Sequence, residues 1–236
     1  MDRETQLRRE VLRYMGMGGA AAQNVDPRIL HGIEGALAEL RRRTRPRFLR
    51  KICPLDFVGE SGEMLSFGGL FSVKSRSLQI NLRDCSEVVL FAATLGAEAD
   101  QLISRASRRD ISQGLIMEAS ATALIEDYCD TCQMEIEGEM NRQGKTLRPR
   151  FSPGYGDFDI SHQKDMVRLL DTPRQIGVTL TEGGMLAPSK SVTAIMGIVS
   201  WSGGESGGEN NGSRQRCHIH GCEACGKKDC LYRRNK

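Results

Sequence analysis

Apolar positions along the chain alternate between a helical and a strand period. Leu7, Val11, Leu12 and Met15 fall at helical spacing, so residues 3–15 predict an amphipathic helix. A Gly/Ala-rich break follows at 16–22. Asp26 and Pro27 then mark a second start, the first as N-cap and the second at the first helical position. Ile29, Leu30, Ile33, Leu37 and Leu40 give that helix one apolar face, and Pro46 breaks it. From 47 to 73 short runs punctuated by Gly59, Gly62, Gly68 and Gly69 predict two or three short strands. Leu78 and Leu82 return the pattern to a helix over 75–83. Residues 87–94 (EVVLFAAT), closed by Gly96, read as a buried strand.

Two further helices are predicted over 97–105 and 110–142, the second with Leu115, Ala119, Thr122, Ala123, Ile125 and Tyr128 buried against a sheet. Ser161 is a plausible N-cap for a short helix over 161–170. Residues 178–182 and 192–199 predict two strands, paired with each other through the 185–191 connection. The order of elements is irregular, and neither Gly-x-Gly-x-x-Gly nor a Walker loop occurs. The fold class expected is therefore α+β, an antiparallel or mixed sheet with flanking helices, and not a Rossmann-type methyltransferase.

Residues 202–215 (SGGESGGENNGSRQ) contain five glycines and no aliphatic or aromatic side chain. Such a segment reads as a flexible linker, dividing a domain at 1–201 from a tail at 216–236. The 236 residues suffice for one sizeable domain. No window approaches the roughly 18 uncharged apolar residues of a membrane span, and the charged start resembles no secretory signal. A cytoplasmic protein is expected, in which eight cysteines stay reduced.

Four of those cysteines, Cys217, Cys222, Cys225 and Cys230, share the tail with His218 and His220. Thiolates crowded into so short a segment repel one another unless a cation neutralises them, and the segment is too small for an apolar core. Tetrahedral zinc is the first reading. An iron–sulfur centre is the second, able to relay an electron, although the fourth cysteine lies too near for ferredoxin spacing. An unstructured reduced tail is the third. Elsewhere Cys85, Cys129 and Cys132 read as core residues before ligands, and His162 as a surface residue before a base.

The run from Arg41 to Lys51 carries six arginines and one lysine. It reads as a cation-rich helix end with a solvated face, and alternatively as a docking patch for nucleic acid or an acidic partner. A formal net charge of +3 does not by itself call for nucleic acid. A zinc-ribbon interaction protein binding nucleic acid or protein is the alternative function that these features carry.

The densest chemistry lies at Arg150-Phe-Ser152-Pro153-Gly154-Tyr155. A Pro-Gly turn exposes peptide groups, arginine offers a fork for a carboxylate, and tyrosine offers a flat ring with a polar tip. Together with Leu169-Leu-Asp-Thr172, Gly177-Val-Thr-Leu-Thr-Glu182 and Pro188-Ser-Lys-Ser191, this motif resembles the activation (reactivation) domain of cobalamin-dependent methionine synthase. The best match before it is 85–96 (CSEVVLFAATLG).

The resemblance implies an S-adenosylmethionine (AdoMet) site. Arg150 would hold the ligand carboxylate, the backbone at Ser152, Pro153 and Gly154 would border the adenine, and Tyr155 would lie beside the ligand. A family aspartate has no evident counterpart, and Glu126 or Glu118 on the long helix would supply an acidic contact. Met196 stands where the family has a tyrosine. The chain also lacks Asp-x-His-x-x-Gly, the cobalamin-ligand motif. A stand-alone activation subunit is thus implied. Its partner would be a cobalamin-dependent methionine synthase chain or another corrinoid methyltransferase, reduced by a flavodoxin-like or other electron donor.

Overall fold

A computed structural model describes residues 2–17, 25–59 and 62–200. The 202–215 linker and the tail with Cys217, Cys222, Cys225 and Cys230 lie outside the described residues. Seven helices are described: α1 (Arg3–Tyr14), α2 (Pro27–Arg43), α3 (Arg76–Asn81), α4 (Ala97–Arg109), α5 (Ile111–Asn141), α6 (Gln163–Leu170) and α7 (Thr172–Gln175). The strands are β1 (Arg47–Val58), β2 (Met64–Phe67), β3 (Phe71–Val73), β4 (Glu87–Thr94), β5 (Lys145–Leu147), β6 (Thr179–Leu180), β7 (Leu186–Ala187) and β8 (Ser191–Ser200). The fold is α+β: one six-stranded antiparallel sheet, ordered β3-β2-β1-β4-β8-β5, with helices on both faces.

β4 is the centre of this arrangement because both its faces are buried. Val89, Phe91 and Ala93 meet α1, α2, α4 and α5, while Val88, Leu90 and Ala92 meet α3, α6 and the β2–β3 hairpin. A strand covered on both sides has no use for polar alternation, which is why 87–94 reads as a continuous apolar run.

Helix starts follow the capping chemistry. Asp26 accepts from the Arg28 amide with Pro27 at the first position, and Asp110 caps the 31-residue α5 by accepting from the Gln113 amide at 2.9 Å. The Arg41–Lys51 run is split at Pro46 between the end of α2 and the start of β1. Arg41 pairs there with Glu4 and Arg50 with Glu139.

Five details depart from the sequence expectations. The first strand after Pro46 is 12 residues long, since β1 pairs with β4 over its first part and with β2 over its second. Strand β5 has no apolar signature in three residues and escapes a periodicity reading. Residues 178–182 do not pair with 192–199. Gly183 and Gly184 close a tight hairpin, β6 with β7, and β8 instead pairs with β4 and β5. Leu115 is 52% exposed, because it shares with Ile111 the outward face of α5's first turns. Asp159, not Ser161, caps the chain's entry into α6, through a 3-10 turn over Ile160–His162.

Gly197 in β8 faces Cys85 so closely that an added Cβ would lie 2.5 Å from its Sγ and 3.0 Å from Leu82 Cδ2. Gly197→Ala is therefore expected to cost about 1–3 kcal/mol by overpacking, read as a lower urea midpoint. Cys85→Ala in the same chain should restore part of it; no restoration would place the strain elsewhere.

Candidate functional site

The Arg150–Tyr155 segment continues β5 along the edge of β8. Leu147 stands opposite Ile198, whereas Phe151 stands opposite Ile195, exchanging backbone bonds of 2.9 and 2.8 Å with it. Four steps on one strand thus match three on the other, so a one-residue bulge lies at 148–150. Pro149, which has no amide hydrogen to give, suits that position. The bulge decides where Arg150 points. Arg148 turns to the α3 face, donating to the Arg83 carbonyl at 3.3 Å. Two residues later, where an unbroken strand would repeat that face, Arg150 turns to α5.

Against α5 the Arg150 guanidinium is only 14% exposed. Nη1 donates to Gln133 Oε1 at 2.8 Å, and Nη2 to Asp130 Oδ1 at 2.7 Å and Glu126 Oε2 at 3.5 Å. Glu126, Asp130 and Gln133 sit one turn apart on one helix face. Burial opposes the guanidinium's charge, but Cys129, Asp130 and Glu126 offset this and raise its pKa. Among the described residues Nε–H has no acceptor.

The turn beyond is built as its residues dictate. Tyr155 N–H donates to the Ser152 carbonyl at 3.1 Å, with Pro153 and then Gly154 (φ 94°) at the corners, the type II arrangement. Gly154 N–H donates to the Phe158 carbonyl at 2.7 Å and closes the loop. Ser152 is half-buried, Pro153 buried and Tyr155 58% exposed, with its ring edge-on to Phe151.

Asp157 anchors this loop to α3. It accepts from Ser75 Oγ at 2.7 Å and from the Arg76 and Ser77 amides at 2.7 and 3.0 Å. The Ser75 hydroxyl and these two amides hold its carboxyl well below the usual range. A depressed folded-state pKa contributes stability above the unfolded value, about 3.9, and loses it as pH falls below. Asp157→Ala should therefore cost about 0.5–2 kcal/mol at neutral pH. The gap from wild type should close below about pH 4; a gap unchanged at pH 3 would contradict the capping role.

The Pro188–Ser191 segment packs against the same helix layer. The Lys190 ammonium is buried and bonds Glu118 and, at 3.1 Å, Thr122 Oγ1. Ser189 donates to Asp100, and Ser191 to Thr94 Oγ1. Glu118 and Glu126, the two acidic candidates, are thus both occupied by cations, Lys190 and Arg150 respectively. Met196 is fully buried against α5 and presents nothing to a ligand at the surface.

Cys129 and Cys132 are buried free thiols, with burial pushing both upward, and the Cys53 thiol is pushed up to about 11. Cys85 is buried too. His162 is half-buried, its ring 5.6 Å from Phe158 and its Nδ1 3.1 Å from Asp165. Among the described residues no group of three His, Cys, Asp or Glu side chains is placed to hold a metal. Nor is any described helix long and apolar enough to cross a membrane.

A cleft of about 470 Å³ between α2, α4 and α5 is lined by Glu39, Leu102, Arg105, Arg109, Gln113 and Met117, among others. It shares no residue with the Arg150 turn. Its cations are balanced by Glu39 and Asp110, so its chemistry is undirected and Arg150 remains the better candidate. Asp130, Gln133, Asp157 and Lys190 were not singled out by sequence as site residues. Asp130 was legible as the residue one turn from Glu126, and Lys190 lies inside the Pro188–Ser191 motif; Gln133 and Asp157 gave no such signal.

No curated protein matches the chain. Among solved structures it is similar to the "MetH Reactivation Domain bound to AdoHcy". The TM-score is 0.57 and the identity 18%, with 84% of this chain and 69% of that one covered. The likeness extends to the fold. The family described as "Vitamin B12 dependent methionine synthase, activation domain" matches residues 37–200, well over half the sequence, and the chain belongs to that family.

Proposed function

We propose that this chain binds AdoMet at the Arg150–Tyr155 turn and serves as a separate activation subunit for a cobalamin-dependent methionine synthase chain. Family membership and the likeness to an AdoHcy-bound reactivation domain support the reading. The observation that carries it is the bulge-directed Arg150, a nearly buried cation with an Nε–H still to offer, at the foot of a turn that presents backbone and the Tyr155 ring.

The residues divide the ligand between them. Arg150 takes the carboxylate, the peptide edge at Ser152, Pro153 and Gly154 borders the adenine, and the Tyr155 ring lies beside the sulfonium. Glu126 orients Arg150. When bound, AdoMet supplies an activated methyl group to the partner's corrinoid, and a flavodoxin-like or other donor supplies one electron. The chain's contribution is positioning and electrostatics.

Calorimetric titration with AdoMet, alone and with a cobalamin-carrying methionine synthase chain, tests this. Binding that appears or tightens with that chain supports it, and no binding in either mixture contradicts it. Tightening only with the corrinoid protein of another methyltransferase would reassign the partner. The tail belongs to the same proposal only as a zinc or iron–sulfur ligand set. Metal analysis of the full chain and of a Cys222→Ala, Cys225→Ala variant decides whether it holds either.

A further inference from the structure

Arg150 is met by more negative charge than it can neutralise. Glu126 and Asp130 both bond it, and the nearest further ion pair on α5, Arg3 with Asp127, is balanced in itself. Counted together, Arg3 and Arg150 face Glu126, Asp127 and Asp130, a surplus of one negative charge. Lys190 offers no correction, since it is spent on Glu118 further along the helix. Of the two carboxylates on Arg150, Asp130 is the more open, 48% exposed against 30% for Glu126. A surplus charge beside a carboxylate-binding arginine is costly for an anion and favours a ligand carrying net positive charge.

This inference rests on the AdoMet reading above. AdoMet carries a sulfonium, an ammonium and a carboxylate, net +1. S-adenosylhomocysteine, the thioether left after transfer, has lost the sulfonium and is net neutral. We propose that Asp130 is a specificity-determining residue that makes the site hold the cationic methyl donor in preference to its neutral product.

The transfer itself converts one into the other. The S–CH3 bond breaks with its electron pair left on sulfur. The methyl carbon takes a pair from the partner's cobalt, previously reduced by one electron from the external donor. The ligand's charge falls by one at that moment. The surplus carboxylate then has nothing left to hold, so product leaves more readily than donor without any movement of the chain.

The test is competitive titration of the full chain with AdoMet, S-adenosylhomocysteine and sinefungin, whose amine restores a cation where the methylated sulfur stands. Asp130→Asn keeps an oxygen to accept from Arg150 and removes one charge. In wild type, AdoMet and sinefungin should bind more tightly than S-adenosylhomocysteine. In Asp130→Asn both cationic ligands should weaken by about fivefold, the scale of one unit charge at a half-exposed position, while S-adenosylhomocysteine changes by less than twofold.

Thermal melting keeps loss of fold apart from loss of selectivity. An affinity ratio that stays the same in Asp130→Asn, or three ligands that weaken together, would overturn the proposal and leave the AdoMet site standing. Failure of wild type to bind any of the three, with or without the cobalamin-carrying chain, would remove the site itself.

Discussion

Replacing Arg150 by alanine is expected to weaken AdoMet binding by about 30-fold or more, the scale of a lost charge-assisted bond to a carboxylate. The loss has two sources. The ligand carboxylate forfeits its donor, and Glu126 and Asp130 then face it with no cation between. The same carboxylates make the change costly to the fold. Both are partly exposed, so water relieves some of the repulsion and the stability loss should stay near 1–2 kcal/mol. Arg150→Lys keeps the charge without the planar fork and should fall between, about tenfold weaker than wild type. Calorimetry for affinity and thermal melting for stability separate the two effects. Undiminished AdoMet binding in Arg150→Ala, with stability reduced, would make Arg150 a brace for the turn and nothing more.

The largest effect on stability is expected at the sheet's centre. Phe91 is fully buried in β4 and stacks on Phe48, ring centroids 6.1 Å apart. Its face of the sheet is the one that carries α5, and α5 carries every side chain that holds Arg150. Phe91→Ala should cost about 3–5 kcal/mol, from lost transfer energy and the cavity left behind. A loss of that size lowers the melting temperature by roughly 10 °C in a domain this large. The urea slope should not change. A cost below about 1 kcal/mol would mean that α5 is held chiefly by its contacts with α1, α2 and α4.

How much could be read beforehand follows from how local each signal is. The α2 start was legible because Asp26–Pro27 act within one helical turn. The 87–94 strand was legible because burial on both faces leaves an unbroken apolar run. β5 was not, since three residues carry no period. The pairing of 178–182 was misread because its partner is chosen by the Gly183–Gly184 corner, a contact shorter in range than the strand pairing assumed.

At the site, the turn residues and Arg150 stood out through the family motif, and the Pro-Gly corner could be argued from backbone preference alone. The direction of Arg150 could not. It depends on one extra residue opposite β8, which becomes visible only when two registers are compared. Asp157 and Lys190 act across 80 and 72 positions of sequence on Ser77 and Glu118, a range no local pattern carries.

The most direct test of the central claim is a single-turnover methyl transfer. The full chain, methyl-labelled AdoMet, a one-electron reductant and a cob(II)alamin-carrying methionine synthase chain without its own activation domain are mixed anaerobically and followed by the corrinoid spectrum. Label should appear on the cobalt only when this chain is present, and its appearance should slow in Arg150→Ala. Label transferred equally well without this chain, or none transferred although AdoMet binds, would contradict its role as an activation subunit.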